Sequence, residues 1–456
     1  MKNLTTRFIR GGTLASGLLC LAGLTACGGD DDSTTPVKQP DPVVSPLPAT
    51  AAAITVQPKT QSVAAGQPAI FSVAASGSGT LKYQWWRNGV EIAGATGATY
   101  TTTPVTLADS GDVLSVVVRN DAATVTSDAV ALQVDGVGAR VLAGGAIVPG
   151  RAQLDGVGKQ AYFLSAGAIA SDGAGNLLLV DTQSKSVRKI TPAGVVTTPI
   201  AGPKTTPALQ FPRDIAAGLN GVTYVTDGIS EPLSIYVLKI AADNVISAVP
   251  VGTTPGDPIL SSGFTVTPLV TAIAADAADA AGNVYVASEV ARDGEPECSS
   301  CFKRAIVRKI ARDGSVTTML ESLGPSVMGG VLDMAVDKSG NLFVINHKGI
   351  ERLDRSGVRT TLVGTDQAFI KAITVDAGGN LYFATEPFSG RPSTWPAHAI
   401  GKIAPDGKVT VAADPNGSDA RFKSAAWITQ PAGLALDAAG ALYVSGNGRV
   451  LKLVLP

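Results

Sequence analysis

Short apolar runs alternate with turn residues along almost the whole chain, and between residues 167 and 453 that alternation recurs as one unit, six times over. Each unit opens with an apolar run and a turn of the form Asp-x-x-Gly-Asn, at 172–176, 279–283, 337–341 and 376–380. Two copies are degenerate: Gly218 and Val222 replace the Asp and Asn in one, and Ala441 replaces the Asn that should follow Asp437 and Gly440 in the other. A run such as Leu177-Leu178-Leu179-Val180 or Leu342-Phe343-Val344-Ile345 follows each turn, then a third of the type Val187-Arg188-Lys189-Ile190 or Val307-Arg308-Lys309-Ile310. Short β-prone runs bounded by turn residues predict strands.

A second tight turn, as in Thr191-Pro192-Ala193-Gly194, leads into a fourth run such as Val195-Val196-Thr197-Thr198. Four short antiparallel strands in a period of roughly 40 to 50 residues predict the blade of a β-propeller, so the chain is all-β. The sixth copy ends after its third strand, whereas Arg140-Val141-Leu142-Ala143-Gly144 reads as a fourth strand with no three before it. A ring closed by the strand near 140–144 follows, which removes two sheet edges at once. The Asp-x-x-Gly-Asn turn, the Tyr-Val strand (Tyr285-Val286, Tyr443-Val444), the Arg-Lys-Ile strand and the ending Thr197-Thr198-Pro199-Ile200-Ala201-Gly202 resemble those of NHL-repeat proteins. The resemblance covers residues 139–456 and implies a six-bladed propeller. It implies little about function, because that fold hosts scaffolds, sensors and a few enzymes.

Residues 51–135 carry a different rhythm, with alternating runs Ala69-Ile70-Phe71-Ser72-Val73, Leu81-Lys82-Tyr83-Gln84-Trp85 and Leu114-Ser115-Val116-Val117-Val118. Strict alternation of this kind predicts a β-sandwich. Tyr83-Gln84-Trp85-Trp86-Arg87-Asn88-Gly89 and Asp109-Ser110-Gly111 resemble the bacterial immunoglobulin-like domains, which makes Trp85 the core tryptophan. No cysteine pair joins the sheets, and Leu114 stands where a tyrosine is usual; Phe71 or Val73 and Val116 are expected to fill the disulfide's place. The module reads as a spacer, although Trp86 should point outward, where an indole either covers a loop or grips sugars or protein.

Composition and the amino terminus place this pair of modules outside the cytoplasm. The 456 residues are 45% hydrophobic and 16% charged, as suits an exported all-β protein. Residues 1–26 read as a signal peptide, with Lys2, Arg7 and Arg10 ahead of an apolar run, 13–24, that is shorter than the ~20 residues a membrane span needs. Leu24-Thr25-Ala26-Cys27 resembles the lipobox of bacterial lipoproteins, which implies lipidation at Cys27 and anchoring in the cell envelope; Gly28 rather than Asp after it points to the outer membrane. Residues 27–50 are rich in Asp, Pro, Ser and Thr and read as an unfolded tether of up to ~70 Å. The formal net charge of −1 becomes about −4 without the leader's three cations, which argues against nucleic-acid partners.

Strand parity locates the working face. Turns between first and second and between third and fourth strands are short, whereas the loops on the other face are long, notably 252–268, 288–304, 385–398 and 414–431. Insertions gathered on one face mark where binding residues sit. Arg213, Asp214, Asp333 and Lys371 interrupt the apolar innermost strands on that face. They read either as recognition of a polar ligand or as mutual charge pairing that plugs the channel. His347, His398, Glu386, Trp395 and Trp427 belong to the same face; the tryptophans read first as loop packing and His347 as solvated. Cys298-Ser299-Ser300-Cys301 lies in the longest insertion and reads as a local disulfide, with redox or metal roles as alternatives.

Two histidines are too few for three-histidine zinc catalysis, and no Gly-x-Ser-x-Gly elbow is present. The expected function is therefore a non-catalytic envelope scaffold, without cofactor, that binds an envelope or extracellular protein or glycan. The alternative is a Ca2+-dependent hydrolase or lyase, resembling lactonases, at the channel mouth.

Overall fold

The computed structural model describes residues 49–145, 153–201, 209–227, 236–250, 264–275, 282–292, 304–313, 315–321, 331–346, 348–364, 369–387, 395–423 and 427–456. Cys27, Cys298, Cys301 and His347 lie outside the described residues. Among these residues the chain is all-β, its only helical turns being short 3-10 segments.

The first module is built of small antiparallel sheets around one apolar core. Lys82–Arg87 pairs with Val90–Glu91 on one side and Val113–Arg119 on the other; Val113–Arg119 pairs with Val130–Asp135, which runs parallel to Gln61–Ala64. Trp85 is fully buried with its ring centroid 6.3 Å from Phe71 and 6.2 Å from Tyr100. Its indole N–H donates to the Gly97 carbonyl at 2.9 Å, so the burial leaves no polar group unpaired. Phe71, Val73 and Val116 join Leu114 in the same buried cluster.

Six further sheets follow among the described residues, one for each sequence repeat. Their first strands are Ala166–Ser171, Pro212–Ala217, Phe264–Ala275, Asp333–Val336, Phe369–Val375 and Pro431–Leu436, and each touches the first strand of the next sheet, the sixth touching the first. The last sheet takes its fourth strand from the other end of the repeat region: Gly138–Ala143 pairs antiparallel with Arg449–Val454.

The repeated turn has a simple chemistry. Asp172 Oδ1 accepts from the amides of Ala174 and Asn176, while Asn176 Nδ2 donates to Asp172 Oδ2 at 2.8 Å. Asp337 with Asn341 and Asp376 with Asn380 repeat the exchange. The glycine between them has a positive φ, +90° at Gly175 and +81° at Gly379, a region other residues enter at a cost. Where Ala441 replaces the Asn, the Tyr443 hydroxyl supplies the missing donor to Asp437 at 2.8 Å.

The middle of each third strand faces the neighbouring sheet, and the six residues there differ widely: Arg188, Leu238, Arg308, Glu351, Gly401 and Leu451. Gly401 stands opposite Phe383, whose ring lies 2.0 Å from where a Cβ would be. Gly401→Ala should therefore cost about 1–3 kcal/mol through overpacking, and Phe383→Leu in the same chain should recover part of it. Urea unfolding midpoints measure both; an unchanged midpoint in the single variant would refute the packing account.

The sandwich rests on the sheets rather than standing clear of them, and residues 49–456 form one compact unit. The Lys159 amide donates to the Gly111 carbonyl at 2.9 Å, and Lys159 Nζ reaches Asp112 at 2.7 Å and the Ala108 carbonyl at 2.8 Å. Gln133 Nε2 donates to the Ala193 carbonyl in the last turn of sheet one. The approach is close enough that a Cβ on Gly158 would fall 2.3 Å from the Gly111 carbonyl oxygen.

Candidate functional site at the ring centre

The four charged residues singled out on the innermost strands occupy two repeat positions. In sheets two and five the pairing of first and second strands slips between Pro212 and Ile215 and between Ile370 and Ala372, and Arg213 and Lys371 fill the slip. Such bulges re-aim a side chain out of the regular ladder. Arg213 is exposed. Lys371 is half-buried, 3.7 Å from Glu386 and 5.2 Å from the Phe369 ring centroid.

The next position lines the junctions between sheets. Around the ring it is held by Ala168, Asp214, Ala272, Asp333, Ala372 and Gly433, so alanine alternates with Asp, Asp and Gly. Asp214 Oδ1 accepts from the amide of Ile215 in its own strand, and Oδ2 from the amide of Ile273 in the next sheet, both at 2.8 Å. Asp333 repeats the arrangement with Met334 at 2.7 Å and Ile373 at 2.8 Å. Each carboxylate is thus a clasp between neighbouring sheets. At the third junction Gly433 lets the strands meet directly, since a Cβ there would lie 2.8 Å from the Ile169 amide nitrogen; the Ser445 hydroxyl donates across to the Gly167 carbonyl at 2.6 Å.

Burial makes these carboxylates weak acids. Asp214 is pushed up to about 7 by loss of water, against the pull of its two amide donors. Asp333 is raised well above the usual carboxylate range by burial first and by the charge of Asp214 second. The two groups therefore sense one another. Both oxygens of each, however, already accept an amide. Among the described residues no group of three or more His, Cys, Asp or Glu side chains converges as a metal-ligand set.

The aromatic residues of this face pack loops. Trp395 meets Phe383 edge-on at 5.2 Å, and the Trp427 indole donates to the His398 carbonyl at 2.8 Å. His398 itself has φ +63°, and its buried Nδ1 has no hydrogen-bond partner among the described residues.

Sequence reasoning missed a second set of carboxylates that shape the face. Asp181 accepts from the amides of Leu164 and Ser165, both at 2.9 Å, and Asp227 from those of Gln210 and Phe211, which ties each incoming loop to the end of a second strand. In the sixth sheet Asn447 Oδ1 takes this role toward Thr429 and Gln430. The available signal was an Asp at the end of the second strand in copies one and two. The buried Arg188 was also missed; its Nη groups donate to the carbonyls of Tyr162 and Leu154 and to Asp155, and lie 3.6 Å from Asp181.

No family model matches the chain, and no curated protein does. Solved structures do resemble it. A protein of unknown function from Bacteroides thetaiotaomicron aligns at 16% identity over 91% of this chain and 99% of its own, with a TM-score of 0.49. An auxiliary nutrient binding protein from the same species aligns at 14% identity over 90% and 98%, TM-score 0.48. A gluconolactonase from Xanthomonas campestris aligns at 13% identity over 70% and 89%, TM-score 0.47. The neighbours are β-propeller proteins, and a likeness at this level assigns this chain neither an activity nor a ligand.

Proposed function

We propose that the chain is a cell-envelope lipoprotein, anchored through lipid on Cys27 in the outer membrane, whose six sheets are the blades of an NHL-type propeller that binds a protein or glycan without catalysis. In this reading the sandwich is an immunoglobulin-like domain that carries the ring, and the strand pairing of Gly138–Ala143 with Arg449–Val454 closes it. The observation that carries the non-catalytic reading is the state of Asp214 and Asp333. One oxygen of each is engaged by an amide of its own strand and the other by an amide of the next sheet, so of the four charged candidates on the innermost strands those left for a ligand are the exposed Arg213 and Lys371, the latter beside Glu386.

Capture of envelope components by immobilised protein tests this. Arg213→Ala with Lys371→Ala should lower retention of the bound species about tenfold or more, the scale of ~1.4 kcal/mol lost contact. Retention unchanged in the double variant would move the binding surface off this face. A specific observation supports the second reading, a Ca2+-dependent hydrolase or lyase: the charge of Asp214 raises the affinity of Asp333 for a proton, a repulsion that a dication would relieve.

A further inference from the structure

The sandwich carries a feature unrelated to the ring centre. Trp85 and its strand neighbours on one side face the core, so Lys82, Gln84 and Trp86 face out, and the pairings Trp86 with Ser115, Gln84 with Val117 and Lys82 with Arg119 extend that outer face across the sheet. Glu91 lies beside Trp86 on the edge strand, and Thr124 beside Arg119 on the other flank. A groove of about 480 Å³ runs over these residues, within the range of sites that hold small ligands.

We propose that this groove binds a saccharide chain, with Trp86 as the platform for a sugar ring. Trp86 stands half-buried in this groove among Lys82, Gln84, Glu91, Arg119 and Thr124, with Tyr83 and Val117 also lining it, and among the described residues its Nε1 has no hydrogen-bond partner. A buried indole N–H normally has an acceptor, so the position is not optimised for folding alone. The surrounding groups choose the occupant. Lys82 and Arg119 donate, Glu91 accepts, Thr124 does both, and Gln84 turns its amide N–H groups to the Trp85 and Ile92 carbonyls and keeps its oxygen as an acceptor. Charges of both signs and donors mixed with acceptors suit a neutral polyhydroxylated ring: its C–H face lies on the indole and its hydroxyls reach either type of partner. An anion would be met by Glu91, and an apolar peptide would strand these polar groups without partners.

The test is an oligosaccharide array probed with the full-length protein, followed by affinity electrophoresis in any soluble polysaccharide of a class that binds. Retention of at least one class is expected, weakened tenfold or more by Trp86→Ala, largely kept by Trp86→Phe, and unaffected by Arg213→Ala with Lys371→Ala. The melting temperature of each variant is measured alongside; Arg119→Ala, at an exposed strand end, is the second variant and should weaken binding without a shift in melting. No retained saccharide, or equal retention by wild type, Trp86→Ala and Arg119→Ala, overturns the proposal. Loss only in the Arg213 and Lys371 variant also overturns it, and leaves the ring-face reading standing.

Discussion

Replacing Asp214 or Asp333 by alanine destabilises the ring at its centre. Each change strands two backbone amides at a junction between sheets, at about 1–3 kcal/mol for every donor left unpaired. The effect is largest in mild acid. Asp214 has its folded-state acidity shifted up to about 7, so between its ordinary value of 3.8 and about 7 the native chain holds a proton that the unfolded chain has released. Stability from this group is therefore fully present at the acid end of that window and falls as pH rises through it. Asp214→Asn should flatten that slope. Glu351 works in the opposite sense: burial opposes its ionisation, but hydrogen bonds from Arg359 and Asn346 hold it below the usual range, and its contribution is lost as pH falls through that lowered value. Thermal unfolding from pH 4 to pH 8 should show a maximum in the acid half, with a shallower fall toward pH 8 in the asparagine variant, where Asp333 alone keeps the raised value. A flat wild-type profile would contradict the buried clasp.

The second large effect lies where the sandwich meets sheet one. Asp112, 5% exposed, accepts from Arg87 Nε at 2.6 Å within the first module and from Lys159 Nζ at 2.7 Å across the junction; Arg87 also reaches Asp109. Asp112→Ala leaves both cations without that partner. The cost should be near 3 kcal/mol, the low end for a broken buried pair, because Arg87 and Lys159 keep 28% and 29% of their side-chain exposure. Calorimetry should show the single transition of the wild type divide into two, since residues 49–456 unfold together only while the junction holds. One unsplit transition at an unchanged temperature would mean that the junction is held by other contacts.

The framework was readable because it repeats. An Asp, a Gly and an Asn at fixed offsets predict one turn wherever they occur, and Trp85 declares its place through the alternation around it. The centre was half readable: Asp214 and Asp333 stand out as charges in apolar strands, but their partners do not, because the amide that Asp214 meets belongs to Ile273, 59 residues away. Charge pairing with Arg213 and Lys371 was one of two readings of these carboxylates; their described partners are backbone amides, and which amides they meet depends on which strands become neighbours. Gly401 reads as a lapse in the repeat until Phe383 is seen to fill its space. The docking of Lys159 on Gly111 and Asp112 was not legible, because the partners lie 47 or more residues apart in the chain and nothing local in the sequence pairs them.

The central claim is that the ring's buried carboxylates hold sheets together rather than a metal. Thermal unfolding of chelator-treated protein in a calcium titration tests it directly. A ligand that binds only the folded chain adds about 2.7 kcal/mol at a hundredfold excess over its dissociation constant, and calcium needs six to eight oxygens, more than two occupied carboxylates offer. The account predicts no shift in melting temperature up to millimolar calcium. A saturable rise that disappears in Asp214→Asn would contradict it and make the channel mouth a calcium site.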